Sequence, residues 1–390
     1  MTNPVPSATS AGSAFGALAG SSSRRGFLAS AGLSALSLSA LAACGGGGSS
    51  SGTPSSAGAS SAGASSAPAA GASSVAPGTY GKISLQLSWI KNIEFAGEFF
   101  ADSKGYYKEA GFESVELVTG PVASSDAQVL AGKATVGLSA PDATGRLISD
   151  SDAPLKIIGS TFQKNPFCIL SLKEGKPIPT IADLAGKTIG IQAGTNQSIF
   201  EGLLKANKVD ASTFKTVTVQ FDIDPLTSKR VDGFMAYLTN EPFLAQGKGF
   251  TPVTLSFADN GLPLTAETFV VKQETIDSDR AMLKAFLKAE IKGWNDAIAD
   301  PEGGAKLATD TYGKSLKLDL AEQAKEIKAQ SELVVTEDTK KNGLFTLTDD
   351  FVAKIMTALG LVGIDLAPED LFDLSLLEEV YTENPDLIVG

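Results

Sequence analysis

The chain has 390 residues with 32 Lys+Arg and 44 Asp+Glu, a formal net charge of −12, and it contains no His. The acidic balance argues against a nucleic-acid-binding protein, because neutralising phosphates requires a basic surface. The lack of His excludes His-based catalysis and Cys/His zinc sites. A soluble binding protein remains, or an enzyme that works with carboxylates, hydroxyls or Lys.

The first 43 residues have the features of an export signal. Arg24 and Arg25 are the only charged side chains in residues 1–79, and a weakly apolar run from 28 to 43 follows them. That run is too short for an ordinary transmembrane helix of about 20 residues, and it ends in small residues, as export signals do. The Arg pair, with Phe and Leu behind it, resembles a twin-arginine translocation signal.

The apolar run ends in Leu-Ala-Ala-Cys at 41–44, which resembles a bacterial lipobox. The resemblance implies that Cys44 is diacylated and becomes the mature N-terminus, and two acyl chains anchor a protein stably where one is marginal. A plain secretory signal with a chance Cys, or an uncleaved anchor, is the alternative. We therefore expect an extracytoplasmic protein, anchored to the outer face of the cell membrane or periplasmic.

Residues 44–79 are predicted to form a disordered tether. Residues 45–78 consist only of Gly, Ser, Ala, Thr, Pro and Val. Such a segment cannot bury enough apolar surface to offset the entropy that it would lose on ordering.

Residues 80–390 alternate between short apolar segments and helical ones. Segment 82–89 alternates strictly between apolar and polar residues, which is typical of a strand, and a helix over 94–104 follows. This alternation predicts an α/β fold with largely parallel sheets, followed by a helical C-terminal part. The further strands predicted are 115–118, 135–139, 156–160, 187–192, 217–221, 233–238 and 269–272. The further helices predicted are 125–131, 143–149, 196–206, 225–228, 277–300, 302–312, 319–332, 348–359 and 368–381.

Two stretches resemble the type II periplasmic solute-binding proteins of ABC importers. The first is Gln-Leu-Ser-Trp-Ile-Lys-Asn-Ile-Glu-Phe-Ala-Gly at 86–97, with Ala-Asp-Ser-Lys-Gly-Tyr-Tyr-Lys-Glu-Ala-Gly-Phe at 101–112. It is similar to the opening of the branch that binds nitrate, taurine, aliphatic sulfonates or the aminopyrimidine precursor of thiamine. The second, Ile-Ala-Asp-Leu-Ala-Gly-Lys-Thr-Ile-Gly at 181–190, resembles the start of the second lobe and is shared more widely.

The resemblance implies two α/β lobes joined by two crossover strands, with the ligand held between them. On this chain, lobe one would comprise 80–168 and 271–390 and lobe two 169–270, with crossings near 167–172 and 269–272. It also implies a receptor that delivers a small molecule to an ABC permease, without catalysis, cofactor or metal. We expect a monomer that does not bind nucleic acid.

Ligands of open α/β sheets bind outside the carboxyl ends of the strands, so the loops there hold the candidate residues. Trp89 could stack on a flat ring and Asn92 could hydrogen-bond its edge. Alternatively, Trp89 belongs to the core and Asn92 caps the following helix. Ser139 ends another strand just before a helix. Thr195 and Asn196 lie at a helix N-terminus, where N–H groups favour a polar acceptor, although either could serve only as a cap.

Tyr237, Asn240 and Glu241 follow a further predicted strand. Glu241 precedes a Pro, so it is expected to be extended. In pyrimidine-binding relatives, a carboxylate near this point accepts hydrogen bonds from the amino group of the ring, and an ionised carboxylate can only accept. An exposed Glu that caps the next helix is the alternative.

These residues predict a planar N-heterocycle as ligand, similar to the pyrimidine precursor of thiamine. An alkylsulfonate or nitrate-type anion is one alternative, for which Arg146, Lys164 and Arg230 are the available cations, and riboflavin is another. A remote alternative is the intracellular enzyme branch that makes the thiamine pyrimidine from its own His and pyridoxal phosphate, with iron. The lack of His and the export signal argue against that branch.

Overall fold

The computed structural model describes residue 76 and residues 78–388, except the side chain of Thr195. In this part of the chain, ten strands form two five-stranded sheets. The strands are β1 (Lys82–Gln86), β2 (Ser114–Val118), β3 (Val136–Ser139), β4 (Leu155–Phe162), β5 (Phe167–Leu172), β6 (Thr188–Gln192), β7 (Lys215–Val219), β8 (Gly233–Tyr237), β9 (Pro252–Ser256) and β10 (Ala266–Lys272).

Both sheets are mixed. The first has the order β2-β1-β3-β10-β4, in which β1 runs parallel to β2 and β3 while β10 is antiparallel to β3 and β4. The second has the order β7-β6-β8-β5-β9, in which β5 is the strand that runs antiparallel to both its neighbours. Four of the five strands in each sheet therefore run in the same direction, as the expectation of largely parallel sheets requires, and the fifth, β10 in the first sheet and β5 in the second, is antiparallel to its neighbours.

The chain passes from the first sheet to the second over 163–166 and returns over 257–265. The ranges near which the crossings were predicted, 167–172 and 269–272, are instead strand residues within a sheet, since β5 pairs with β8 and β9, and β10 pairs with β3 and β4. The division into two lobes at these boundaries stays a prediction.

Fourteen α-helices cover the sheets in the described residues. The predicted helix over 368–381 is two helices, because Phe372 is extended and forms an isolated bridge with Ile157. None of the described helices is long and apolar enough to cross a membrane. The helices are α1 (Ala96–Ser103), α2 (Tyr106–Glu109), α3 (Ser125–Leu130), α4 (Pro141–Ser151), α5 (Thr195–Ala206), α6 (Asp224–Thr227), α7 (Glu241–Gly247), α8 (Gln273–Ala299), α9 (Pro301–Lys306), α10 (Leu320–Val334), α11 (Glu337–Asn342), α12 (Asp349–Leu361), α13 (Pro368–Leu371) and α14 (Ser375–Glu383).

Helices α1 and α8 pack against each other with almost no space between their backbones. A Cβ atom added at Gly293 would lie 2.2 Å from the carbonyl oxygen of Gly97, and one added at Gly97 would lie 2.1 Å from the ring of Trp294. Trp294 is fully buried there, together with Phe99. This contact holds α1 in position. Helix α1 directly follows the segment after β1 that contains the candidate residues Trp89 and Asn92.

We expect Gly293→Ala to destabilise the protein by about 1–3 kcal/mol, because the added methyl group must push two helix backbones apart. Gly360 in α12 has no atom within 4 Å of an added Cβ, so Gly360→Ala is the matched control and should stabilise by about 0.4–1 kcal/mol. Thermal or urea unfolding measures both. Equal effects of the two substitutions would contradict the close packing of α1 on α8.

Candidate ligand-binding site

A cavity of about 130 Å³ is lined by residues from both sheets. Ser88, Trp89 and Glu94 follow β1, and Glu267 lies in β10 of the same sheet. The other side is built by residues of the second sheet and of the loops and helices that follow its strands. These are Phe167, Gln192, Asn196, Phe221, Met235, Ala236, Tyr237, Asn240 and Glu241.

Aromatic rings from both sides meet at the cavity. Trp89 and Phe221 make an edge contact with their ring centroids 5.0 Å apart, and Phe167 and Tyr237 make a perpendicular contact at 4.7 Å. Phe221 is 48% exposed, which is unusual for so large an apolar side chain. The rings offer flat apolar faces on which a planar ligand could stack.

Glu267 is held in a strained backbone conformation. Its φ is +54°, in the left-handed region that residues other than Gly avoid, and the pairing of β10 with β4 shifts register just after it. Ser88 donates its Oγ hydrogen to the carboxyl, with 2.9 Å from Oγ to either oxygen. A backbone conformation strained in this way costs free energy and persists only where the surrounding structure enforces it. Such conformations cluster at functional sites.

Glu241 faces the cavity from the start of α7. It is 7% exposed, and its Oε2 accepts a hydrogen bond of 2.8 Å from the backbone N–H of Tyr237. The expectation that Glu241 is extended was wrong, since it is the first residue of the helix. Pro242 occupies the first turn, where its missing N–H leaves no hydrogen bond unmade.

Glu94 completes a group of three carboxyls. It lies in a 3₁₀ turn, Ile93–Phe95, is 8% exposed, and lines the same cavity as Glu267. Burial raises the pKa of Glu94 to about 7, and the charge of Glu241 adds to the effect. Burial also raises the pKa of Glu241 to about 7. Burial and the charge of Glu94 raise the pKa of Glu267 well above its ordinary value.

Three more buried carboxyls do not line the cavity. Glu98, one helical turn after Glu94, has no hydrogen-bond partner for either oxygen among the described residues, and burial raises its pKa to about 8. Burial likewise raises the pKa of Glu326 to about 8. Glu290 accepts a hydrogen bond of 2.5 Å from the hydroxyl of Tyr107.

The cavity lining contains no Lys or Arg within the described part of the chain. The described residues also hold no group of three or more Cys, Asp or Glu arranged to bind a metal ion. The cavity therefore offers a ligand three carboxyls and several aromatic faces. The carboxyls can accept hydrogen bonds when ionised and can donate them when protonated.

Five of the residues singled out from the sequence line this cavity: Trp89, Asn196, Tyr237, Asn240 and Glu241. The Asn196 amide donates to the Oε1 of Gln192 at 3.0 Å, so the side chain that could have served only as a cap reaches another lining residue. Their role as ligand contacts stays a prediction.

The other predicted residues lie elsewhere. The Oδ1 of Asn92 accepts from the N–H of Glu94 at 3.3 Å, which makes Asn92 a helix cap. Ser139 donates its hydroxyl hydrogen to Asp126 at 2.5 Å. Thr195 begins α5, and its side chain is outside what the structure describes. The residues of the proposed export and lipidation signals, Arg24, Arg25 and Cys44, are outside the described residues too.

Sequence reasoning missed Ser88, Glu94, Phe167, Gln192, Phe221 and Glu267. The first two lie within the stretch that carries the family resemblance, so the signal for them was present. Glu267 is the one charged residue in β10 before its final Lys, and a lone charge in an apolar strand is the signal that could have found it.

The chain matches the family model described as "NMT1/THI5 like" over residues 92–304, more than half of its length. It belongs to the NMT1/THI5-like family. Riboflavin-binding protein RibY of Chloroflexus aurantiacus is 27% identical over 311 residues, which cover 76% of this chain and 85% of that protein.

Solved structures share the fold at low sequence identity. The aliphatic sulphonate binding protein SsuA of Escherichia coli has a TM-score of 0.56 at 13% identity, covering 72% of this chain and 86% of its own. The nitrate-binding protein NrtA of Synechocystis PCC 6803 has a TM-score of 0.57 at 14% identity, covering 79% and 91%. The predicted α/β periplasmic-binding-protein fold and the family resemblance are thereby confirmed.

We expect the ligand-free protein to lose stability as the pH rises from 4.5 to about 8. A carboxyl such as Glu98 has an ordinary pKa of 4.5, and burial raises it to about 8. Between these values the folded state binds more protons than the unfolded state, so raising the pH favours unfolding. Chemical unfolding at a series of pH values measures the slope.

Glu98→Gln should flatten this pH dependence, because the amide does not ionise. The matched control is Glu116→Gln, which changes an exposed carboxyl on β2 and should leave the slope unchanged. A slope that Glu98→Gln leaves intact would show that this carboxyl does not hold a proton in the folded protein.

Proposed function

We propose that the chain is an extracytoplasmic receptor of an ABC importer, which binds a small planar N-heterocycle between its two sheets. The observation that carries the proposal is the meeting of three buried carboxyls and four aromatic rings at one cavity. Ligand contacts to both sides stabilise a closed form, which the permease recognises. No bond is made or broken in this function.

The lining groups suit a flat ring that carries N–H groups. Trp89 and Tyr237 provide faces or edges for stacking, and Glu241 accepts hydrogen bonds from a ring amino group. The Oε2 of Glu241 accepts from the backbone N–H of Tyr237, and a carboxylate has further lone pairs with which to accept from a ligand. The amide of Asn240 beside it can both donate and accept. The pyrimidine precursor of thiamine is the first candidate.

Riboflavin is the second candidate, because the curated relative is a riboflavin-binding protein. Its ring system is flat and carries an N–H group, and the hydroxyls of its side chain can donate to carboxyls. An alkylsulfonate or nitrate fits worse, since Glu94, Glu241 and Glu267 would repel it and no Lys or Arg lines the described cavity to balance it.

An enzymatic role is disfavoured by the chain itself, which has no His. The desulfurization enzyme DSZB shares the fold with a TM-score of 0.53 at 14% identity, so the fold alone does not decide the matter. A receptor needs only binding and closure.

Thermal unfolding with the aminopyrimidine precursor, riboflavin and an alkylsulfonate tests the proposal. A ligand at about 100 times its Kd adds about 2.7 kcal/mol of stability, which raises the Tm by several degrees. We expect a shift with a heterocycle and none with the sulfonate. A shift with the sulfonate alone would overturn the ligand class, and a shift with none of a broad panel of solutes would count against a receptor.

Glu241→Gln should weaken the binding of whichever heterocycle raises the Tm. The expected loss of binding free energy is about 1.5–3 kcal/mol, the contribution of a hydrogen bond to a charged group. Glu290→Gln is the matched control, because that buried carboxyl bonds to Tyr107 outside the cavity. Calorimetric titration measures both. Equal affinity of the Glu241→Gln variant and the parent protein would remove Glu241 from the binding site.

We further propose that Cys44 is lipidated and that the residues after it tether the receptor to the membrane, where it acts as a monomer beside its permease. Cys44→Ser should release the exported protein from the membrane fraction into the soluble fraction. Fractionation followed by immunoblotting measures the distribution. A Cys44→Ser protein that stays with the membrane would contradict lipid anchoring.

A further inference from the structure

We propose that the cavity selects ligands that carry a positive charge, and that its carboxyls release protons as such a ligand binds. This inference rests on the proposed receptor function, because it assigns the charge class of the ligand for the same cavity. It is carried by the placement of the carboxyls and by the absence of any basic group among the lining residues described.

The three carboxyls reach the cavity from three separate elements. Glu94 comes from the turn after β1, Glu241 from the start of α7, and Glu267 from the strained position in β10. Each is more than nine-tenths buried. Three independent parts of the chain thus direct an acidic group into one small space, and one of them does so at a cost in backbone strain.

Two of these carboxyls disfavour being ionised together. Glu94 and Glu267 line the same cavity, and burial together with the charge of Glu94 raises the pKa of Glu267, because an ionised carboxyl disfavours the ionisation of a second one nearby. Among the described residues, no N–H or hydroxyl group donates to the Glu94 carboxyl. Its remaining capacity to accept a hydrogen bond is directed at the cavity.

The groups that surround the three carboxyls provide no compensating charge. All of them are acidic or neutral, and burial together with the nearby carboxyls raises the pKa of Tyr237 and of the Cys168 thiol well above their ordinary values. In the described part of the chain, the cation that acts on this set is Arg146, which acts on Asp142 and does not line the cavity. The surrounding groups are Glu98 on α1, Asp142 on α4, Cys168 on β5, Tyr237 on β8, Glu290 on α8 and Glu326 on α10.

A cation that enters this cavity competes with the protons for the same carboxyl oxygens. An opposite charge at hydrogen-bond distance favours the ionised carboxyl, so each carboxyl that pairs with the ligand loses its proton to solvent. The net charge of the buried site then changes little, which avoids the cost of burying an unpaired ion. Linkage requires that the affinity for the cation rises with pH, because protons are released on binding.

Flat pyridine rings of similar size but different charge test the inference. The probes are 1-methylnicotinamide, which is a fixed cation at every pH, neutral nicotinamide and anionic nicotinate. Calorimetry near pH 8 should show the cation binding about tenfold more tightly than the neutral ring, as expected for a single charge placed at hydrogen-bond distance from a carboxylate. The preference should shrink near pH 6, where the carboxyls with a pKa of about 7 hold their protons.

The same titrations, repeated in buffers of different ionisation enthalpy, count the protons released. Glu267→Gln should reduce both the proton count and the preference for the cation, whereas Glu290→Gln, which changes a carboxyl outside the cavity, should retain both. Equal or tighter binding of the neutral ring, a proton count of zero, or no binding of any of the three probes would overturn the inference.

The outcome separates this inference from the proposed function. If the aminopyrimidine or riboflavin stabilises the protein while the cationic probe shows no advantage, the charge selectivity is wrong and the receptor for a neutral heterocycle stands. If neither those ligands nor the probes bind, the proposed function fails together with the inference.

Discussion

The burial of carboxyl groups without a compensating cation is the constraint on which the site depends. A carboxylate removed from water is unfavourable unless donors or positive charge surround it. The lining residues that the structure describes supply neither Lys nor Arg, so burial raises the pKa of Glu94 and Glu241 to about 7 and the site keeps protons near neutral pH. A ligand with N–H groups or positive charge relieves this situation, and an anion worsens it.

The fold maintains this arrangement through rigid packing. The contact of Gly97 with Gly293 locks α1 against α8, and α1 follows directly from the turn that carries Glu94. On the other side of the cavity, the hydrogen bond from the Tyr237 backbone holds the Glu241 carboxyl in place. Each sheet thereby presents a fixed acidic group, and a ligand that contacts both of them links the two sheets, as a receptor that responds by closure requires.

The sequence was sufficient to predict the fold class, the family and one wall of the cavity, because those depend on local patterns. Glu241 could be found since it follows a strand at a position where ligands bind in this fold. Glu267 could not, because its approach to the cavity requires a left-handed backbone and a register shift in β10, which come from tertiary packing. The role of Asn92 as a cap was likewise decided by the short turn that follows it, since both alternatives fitted the sequence equally well.

The most direct test of the account is the identity of the small molecule that the protein retains. The purified protein is equilibrated with an extract of rich growth medium, washed and examined by native mass spectrometry, and the retained compound is identified by its mass and fragments. The account predicts a flat nitrogen heterocycle that is neutral or positively charged. A retained sulfonate, nitrate or other anion would contradict it, because the buried carboxyls would then have to accommodate a second negative charge without a cation.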